Sequence, residues 1–236
     1  MAFQTTRWSL IARAAKSDDG ARQALDELCR VYWPPVYAMY RRDGVTADSA
    51  RDLTQGLFAN LLEREDFRKA DPERGRFRSF LRTCAQNWLR NERDREQALK
   101  RGGDRLQFSL DTGEEEQRFL REPATELDAA AMFERRWAQI VIEQALAQLA
   151  GEEERAGRSQ VFEILRPSLE GDTLEQSWAE LAAQLRTTEG ALRVAVHRLR
   201  KRFRERIESQ VRDTLGDADG SLDHDELTEL LAALQA

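Results

Sequence analysis

The chain has 236 residues, of which 41% are hydrophobic and 34% are charged, and its formal net charge at pH 7 is −6. This composition allows one or two modest hydrophobic cores, but no stretch is long and apolar enough for a membrane span. The first residues lack the order of a secretory signal peptide, so we expect a cytoplasmic protein. Cys29 and Cys84 lie in helix-like stretches without a paired spacing, which favours two small buried side chains over a disulfide or a metal site.

Charge is distributed unevenly along the chain. The segment 186–206 contains eight lysines and arginines but only two glutamates, whereas 215–236 contains six carboxylates and no lysine or arginine. The overall negative charge would by itself argue against nucleic-acid binding, because phosphate contacts need basic side chains. The local pattern instead predicts a nucleic-acid-binding surface followed by an acidic C-terminal extension.

The N-terminal part of the chain is predicted to be helical. Apolar residues recur every three or four positions and alternating β-branched runs do not occur, so the whole chain is expected to be all-α. A first apolar stripe runs over 25–40, and the pair Pro34-Pro35 should kink or interrupt its helix. A second helix is predicted over 48–62 and a third over 77–98.

A change of composition divides two helical blocks. The first block, residues 1–100, is followed by an acidic and irregular segment, 101–130, which contains the run Glu114-Glu115-Glu116. This composition is typical of an interdomain linker. Helical periodicity returns over 131–210 and is followed by the acidic extension, 211–236. We therefore predict two helical domains joined by an acidic linker, with a short C-terminal helix.

The segment 177–203 has the pattern of a helix-turn-helix. Ser177 can cap a first helix, and Thr188 can cap a second helix that has Glu189 in its first turn. Between them, Arg186 stands where a glycine often adopts a left-handed conformation, at an expected cost of about 1 kcal/mol. The second helix should bury Leu192, Val196, Leu199 and Phe203 and expose Arg193, His197, Arg198, Lys201 and Arg204. Such modules place their second helix in the major groove of DNA.

This second helix offers candidates for two kinds of DNA contact. Residues near its start would meet base edges, and the candidates are Thr188, Glu189, Arg193, Val194 and His197. The basic residues further along are candidates for phosphate contacts, and they are Arg198, Arg200 and Lys201. If this face were merely solvated, we would expect charges of alternating sign. Acidic residues are scarce here, which favours a DNA-binding face instead.

A second basic region, 74–95, interleaves arginines with aromatic residues. Arginines that hold the backbone, beside rings on which unpaired bases stack, suit the binding of single-stranded DNA. An alternative is that Phe80, Cys84 and Trp88, spaced by four, form a core stripe. That alternative leaves the arginines of the region unexplained.

Three motifs, in this order, resemble a known family. Residues 50–58, Ala-Arg-Asp-Leu-Thr-Gln-Gly-Leu-Phe, resemble the acidic-Leu-Thr-Gln-x-x-Phe signature of the sigma-70 superfamily of transcription initiation factors, although Gly56 departs from the carboxylate that commonly follows the glutamine. The segment 77–95 looks like the promoter-melting and −10-reading helix of that family. The segment 178–202 looks like its −35-reading helix-turn-helix. The two-domain plan is similar to that of the extracytoplasmic-function (ECF) group, the smallest of these factors.

Five short motifs are similar to an ECF subgroup that is abundant in planctomycete-like bacteria. They are Thr6-Arg-Trp-Ser-Leu10, Asp71-Pro-Glu-Arg-Gly-Arg-Phe77, Asn91-Glu-Arg-Asp94, Phe133-Glu-Arg-Arg-Trp137 and Val194-Ala-Val-His-Arg198. The resemblance covers most of residues 20–206 and depends on the order of the motifs more than on any one of them.

The resemblance implies a role for each segment. The second helix would dock on the clamp helices of the largest subunit of core RNA polymerase through Asp52, Gln55, Phe58, Asn60 and Glu63. The third would recognise and melt the −10 element through Arg74, Arg76, Phe77, Arg78, Phe80, Asn87, Arg90 and Arg93. The acidic linker would thread the RNA exit path. The helix-turn-helix would read the −35 element while docking on the flap of the second-largest subunit.

The resemblance further implies a protein that is monomeric when free, with core polymerase, double- and single-stranded promoter DNA, and an anti-sigma factor or other regulator as partners. No cofactor, metal or membrane is expected, and no arrangement of histidine, carboxylate and nucleophile suggests an enzyme. Two other classes each fit a part of the chain. A helix-turn-helix regulator that does not bind core polymerase fits the second domain, and a calcium-responsive interaction protein fits the tail.

The tail resembles part of a calcium loop. With Gly220 at the glycine position of such a loop, four carboxylates fit ligand positions, namely Asp217, Asp219, Asp223 and Glu226. Leu215 stands where the first aspartate is required, so a specific calcium site is not favoured. We expect a capped helix over 226–234 instead, in an acidic tail that could fold back and mask the basic helix-turn-helix.

Overall fold

The computed structural model describes residues 19–63, 77–98, 112–121, 127–170, 176–212 and 224–235. These residues form ten helices and contain no strand, which confirms the all-α prediction for this part of the chain. The helices are α1 (Asp19–Arg42), α2 (Ala47–Glu63), α3 (Phe77–Ala98), α4 (Gly113–Arg121), α5 (Ala129–Arg155), α6 (Ser159–Leu165), α7 (Pro167–Glu170), α8 (Trp178–Gln184), α9 (Glu189–Arg212) and α10 (His224–Gln235). Within the described ranges, no helix combines the length and the apolar character needed to cross a membrane.

The chain divides into two compact units. The first comprises 1–140 together with 211–236, and the second comprises 141–210. The second unit thus begins at Val141, inside α5, rather than at residue 131, where the change of composition falls. The boundary at 210 likewise lies inside α9. Because α5 continues through residue 141, composition alone could not locate that boundary, whereas residue 210 is also where the predicted second block ends.

The core of the first unit is built by α1, α2 and α3 and is rich in aromatic side chains. Tyr32, Tyr40 and Phe77 are at most 1% exposed, and the rings of Tyr32 and Phe77 meet edge to face with centroids 5.1 Å apart. The hydroxyl of Tyr40 donates to the carbonyl oxygen of Ala85 at 3.0 Å, which satisfies a buried polar group. These contacts fix α3, with its arginines, against α1.

The helix α1 runs without interruption through Pro34 and Pro35. Each proline removes a helical hydrogen bond and disfavours a helix interior. Both prolines are nevertheless buried, and Tyr32 and Val36 on either side of them are fully buried. The predicted break is absent because burial of this apolar surface outweighs the local penalty.

Part of the predicted linker is an ordered helix, α4, held to the first unit by ion pairs. Nε and Nη2 of Arg41 donate to the two carboxylate oxygens of Glu116 at 2.8 and 2.9 Å. The hydroxyl of Tyr37 donates to the same carboxylate at 2.6 Å. The neighbouring carboxylate, Glu115, is 9% exposed and accepts from Arg136 Nε at 2.8 Å. Over 113–121 the chain therefore differs from the irregular tether that its composition predicts.

The second unit is organised around α9. The apolar stripe of α9 packs against α5 and α6, in a cluster that contains Leu149, Phe162, Leu165, Val196, Leu199 and Phe203. A smaller cluster packs Leu181 and Ala182 of α8 against Leu192. Because the stripe is buried from Leu192 to Phe203, the opposite face of α9 is fixed in its orientation towards solvent.

Candidate nucleic-acid interface

The first helix of the helix-turn-helix starts at a reciprocal cap. The hydroxyl of Ser177 accepts from the backbone N–H of Glu180 at 3.3 Å, and the Glu180 carboxylate accepts from the backbone N–H of Ser177 at 2.8 Å. These two bonds satisfy N–H groups that have no partner within the helix. The bonds from the Ser177 backbone and hydroxyl hold the pKa of Glu180 below its ordinary value. The predicted cap at Ser177 is confirmed.

The turn between α8 and α9 is closed by a Schellman motif with an arginine in the left-handed position. Arg186 has φ 51°, and it is the one residue other than glycine with a positive φ among those described. Its N–H donates to the carbonyl of Ala183 at 3.2 Å, and the N–H of Thr187 donates to the carbonyl of Ala182 at 2.9 Å. The predicted left-handed turn is therefore present, and the backbone of Arg186 is strained there because the residue carries a Cβ atom.

The second helix, α9, is capped by Thr188, whose hydroxyl accepts from the N–H of Ala191 at 3.2 Å. Glu189 follows in the first turn, where its negative charge suits the helix dipole. Val194 is 49% exposed, an unusual exposure for an apolar side chain on an otherwise basic face. A methyl-bearing side chain in this position can contact the methyl group of thymine in a major groove.

The two faces of α9 are divided as predicted. Leu192, Val196, Leu199 and Phe203 are between 3% and 8% exposed. The opposite face exposes Arg193, His197, Arg198, Lys201 and Arg204. Arg193 is positioned by the ring of Trp178, whose centroid lies 5.0 Å from its guanidinium carbon.

Other arginines of the basic segment are engaged within the second unit. Arg200, a predicted phosphate contact, donates to the carbonyl oxygen of Ser168 at 3.0 Å from Nη2. Arg206 donates to Glu152 at 2.8 Å, and Arg202 donates to Glu152 at the same distance and also to Glu153. These guanidinium groups orient α9 on the rest of the unit, so the basic segment supplies fewer free cations than its composition indicates.

The carboxylates that hold these arginines were not identified from the sequence. Hydrogen bonds from Arg158 and Arg202 outweigh the effect of burial and hold the pKa of Glu153 below its ordinary value of 4.5. Burial alone would raise the pKa of Glu152, but hydrogen bonds from Arg206 and Arg202 bring it below 4.5 as well. The only signal was the acidic run Glu152-Glu153-Glu154, which lies about 50 residues before Arg202 and Arg206.

The predicted single-strand face on α3 is partly buried. Phe77 is 1% exposed and packs in the core, and Arg78 is 3% exposed, so neither reaches solvent in this arrangement. Phe80 is half-buried, Asn87 and Arg90 are exposed, and Arg93 pairs with Asp43 at 2.8 Å. Arg74 and Arg76 lie outside the described residues.

The buried stripe of α3 does not consist of Phe80, Cys84 and Trp88, the residues of the alternative prediction. Leu81, Ala85 and Leu89 are buried, whereas Phe80, Cys84 and Trp88 are half-buried at its edge. The edge position leaves part of each aromatic ring accessible to a ligand. Cys29 and Cys84 are both half-buried.

The predicted polymerase-docking residues are all on α2 but differ in exposure. Asp52 is exposed, Gln55 and Asn60 are half-buried, and Phe58 is 6% exposed and belongs to the core. Phe58 therefore supports the helix from within rather than meeting a partner in this arrangement. Glu63 is the last residue of α2, and its side chain lies outside the described part of the structure.

No family model, curated protein or solved structure matches the chain. Among the residues that the structure describes, no group of three or more histidine, cysteine or acidic side chains could hold a metal ion. Asp217, Asp219 and Asp223 of the loop-like segment lie outside those residues, as does the side chain of Glu226.

Proposed function

We propose that this chain is a sigma factor of the extracytoplasmic-function type. It binds core RNA polymerase, reads the −35 and −10 elements of its promoters and assists their melting. The observation that carries the proposal is the division of α9 into a buried apolar stripe and an exposed basic face. Both helices of the helix-turn-helix, α8 and α9, also begin at a capping side chain. This is the arrangement that a helix needs to enter a major groove with its orientation fixed.

Features of the first unit favour a sigma factor over a regulator that works without core polymerase. The acidic-Leu-Thr-Gln motif lies on α2, with Asp52 at the surface, and α2 packs against α3. Asn87 and Arg90 of α3 are exposed, and Trp88 between them is half-buried. Amide, guanidinium and aromatic groups together suit the backbone and the bases of a melted strand.

Run-off transcription tests the proposal. Purified chain and core RNA polymerase are incubated with fragments of the genomic DNA of the organism that encodes the chain. Transcripts that start at discrete sites only when the chain is present support the proposal. If no fragment is transcribed although the chain binds duplex DNA specifically, the helix-turn-helix regulator is the better description.

Two separate substitutions on α9, compared with a control, test whether the transcripts depend on this helix. Arg193→Ala and His197→Ala remove exposed side chains of the face that would read bases. Glu163→Ala, at an exposed position of α6, is the control. We expect the α9 variants to lose the transcripts while the control retains them, since a base-edge contact contributes about 1–3 kcal/mol of discrimination.

A further inference from the structure

The C-terminal helix α10 lies against the basic helix α3 within the first unit. Leu230 of α10 is 1% exposed, and Glu229 beside it pairs with Arg78 of α3 at 3.1 Å. The Glu229 contact is with Arg78, one of the residues predicted to meet the melted strand.

Arg78 is held on two edges and one face of its guanidinium group. Nε donates to Glu134 at 2.9 Å, Nη2 donates to Glu229 at 3.1 Å, and the ring centroid of Trp137 lies 4.3 Å from the guanidinium carbon. Glu134 also accepts from Arg82 at 2.6 Å. Of the two carboxylates that accept from Arg78 and Arg82 in these bonds, α10 supplies Glu229 and α5 supplies Glu134.

The seam between α10 and its neighbours is incompletely packed. A cavity of about 430 Å³ lies there, lined by residues of α3, α5 and α10 that include Arg82, Trp137, Leu230 and Ala233. Leu230 is the one fully buried side chain among the described side chains of α10, and the side chain of Glu229 is 55% exposed. The contacts that hold the described part of α10 therefore include the buried Leu230 side chain and an ion pair between a buried arginine and a half-exposed carboxylate.

We propose that α10 competes with single-stranded nucleic acid for α3, with the Glu229 carboxylate in the place of a backbone phosphate on Arg78. Carboxylate and phosphate oxygens bind the same fork of guanidinium N–H groups. Displacement of α10 removes the Glu229 carboxylate from Nη2 of Arg78, where a backbone phosphate can take its place. The inference rests on the proposed function, in which α3 meets the melted strand.

Two substitutions on α10 separate this competition from general electrostatics. Leu230→Asp places a charge at a buried contact and should release α10, whereas Leu231→Asp makes the same change at a neighbouring side chain that is 52% exposed. Both variants make the chain more negative, which by itself weakens binding to nucleic acid. A gain of affinity in Leu230→Asp alone therefore reports release of α10.

The measurement is fluorescence anisotropy of a labelled single-stranded DNA of mixed sequence, over a series of salt concentrations. For Leu230→Asp we expect tighter binding at low salt and a log–log salt slope that is steeper by about 0.7, the value for one added phosphate contact on a single strand. Leu231→Asp should bind no better than the wild type. Glu229→Gln, at an exposed side chain, should change affinity in the same direction by a smaller factor. Hydrogen exchange of the α10 amides, faster in Leu230→Asp only, verifies the release.

Two results would overturn the inference. Unchanged affinity and slope in Leu230→Asp, with α10 amides exchanging faster, would mean that α10 does not compete with DNA. Equal gains in Leu230→Asp and Leu231→Asp would mean that the buried contact is irrelevant. Either result leaves the proposed function standing if the wild-type chain supports initiation with core polymerase, so the two failures can be told apart.

Discussion

Glu153 and Arg202 form an ion pair that joins α5 to α9 across 49 residues of sequence. The side chain of Glu153 is 4% exposed and that of Arg202 is 30% exposed. Arg202 lies on the same helix as the residues expected to meet DNA, but its guanidinium group binds Glu152 and Glu153 and so orients α9 on α5. The basic segment thus contains two classes of arginine, and they should respond differently to substitution.

Glu153→Ala should destabilise the second unit. It leaves Arg158 and Arg202 without one acceptor each, and the loss of such a charge-assisted bond costs about 1–3 kcal/mol. Glu154→Ala, at the exposed neighbouring position, is the matched control and should change the free energy of unfolding by less than about 0.5 kcal/mol. Urea denaturation followed by circular dichroism measures both, and equal effects would contradict a structural role for Glu153.

Stability should fall on the acid side of neutrality. The pKa values of Glu152 and Glu153 are lowered in the folded chain, so both carboxylates contribute stability above their ordinary value of 4.5. That contribution is lost as the pH falls through the lowered folded values, and the urea midpoint should decline below about pH 5. In Glu153→Gln the midpoint should be lower at neutral pH and should fall less steeply in acid. An identical decline in both proteins would contradict the assignment.

Arg186→Gly should stabilise the turn between α8 and α9. Arg186 has φ 51°, a region that glycine occupies without steric strain. Relief of about 1 kcal/mol of strain is partly offset by the entropy that glycine adds to the unfolded chain, so we expect a net gain of up to about 0.5 kcal/mol. Thr187→Gly, in the same turn but without a positive φ, should destabilise. Thermal unfolding compares the two, and a loss of stability in Arg186→Gly would show that the arginine is not strained.

Lys201→Ala and Arg206→Ala should differ in their effect on DNA binding. Lys201 is exposed on the basic face, whereas Arg206 donates to Glu152 at 2.8 Å. Loss of a phosphate contact lowers the salt slope by about 0.9 on duplex DNA, so Lys201→Ala should bind more weakly with a shallower slope. Arg206→Ala should lower stability and leave the slope near the wild-type value. Equal slopes in the two variants would contradict the division of the arginines.

The features that could be predicted from the sequence are those set by local spacing. The Ser177 cap, the left-handed position of Arg186 and the buried stripe of α9 each depend on residues within one or two turns of each other. The pairs Glu153–Arg202 and Arg78–Glu229 join residues 49 and 151 positions apart, and spacing carries no information about such partners. The same holds for α1, where packing of the whole unit overrides the two prolines.

Binding to core RNA polymerase tests the central proposal most directly. The tagged wild-type chain should retain purified core polymerase on a column, and Asp52→Lys, at an exposed position of the α2 motif, should retain much less. Glu163→Lys reverses a charge at an exposed position of α6 and should retain core polymerase as the wild type does. Failure of the wild-type chain to retain core polymerase, or equal retention by all three proteins, would contradict the account of α2 as the docking helix of a sigma factor.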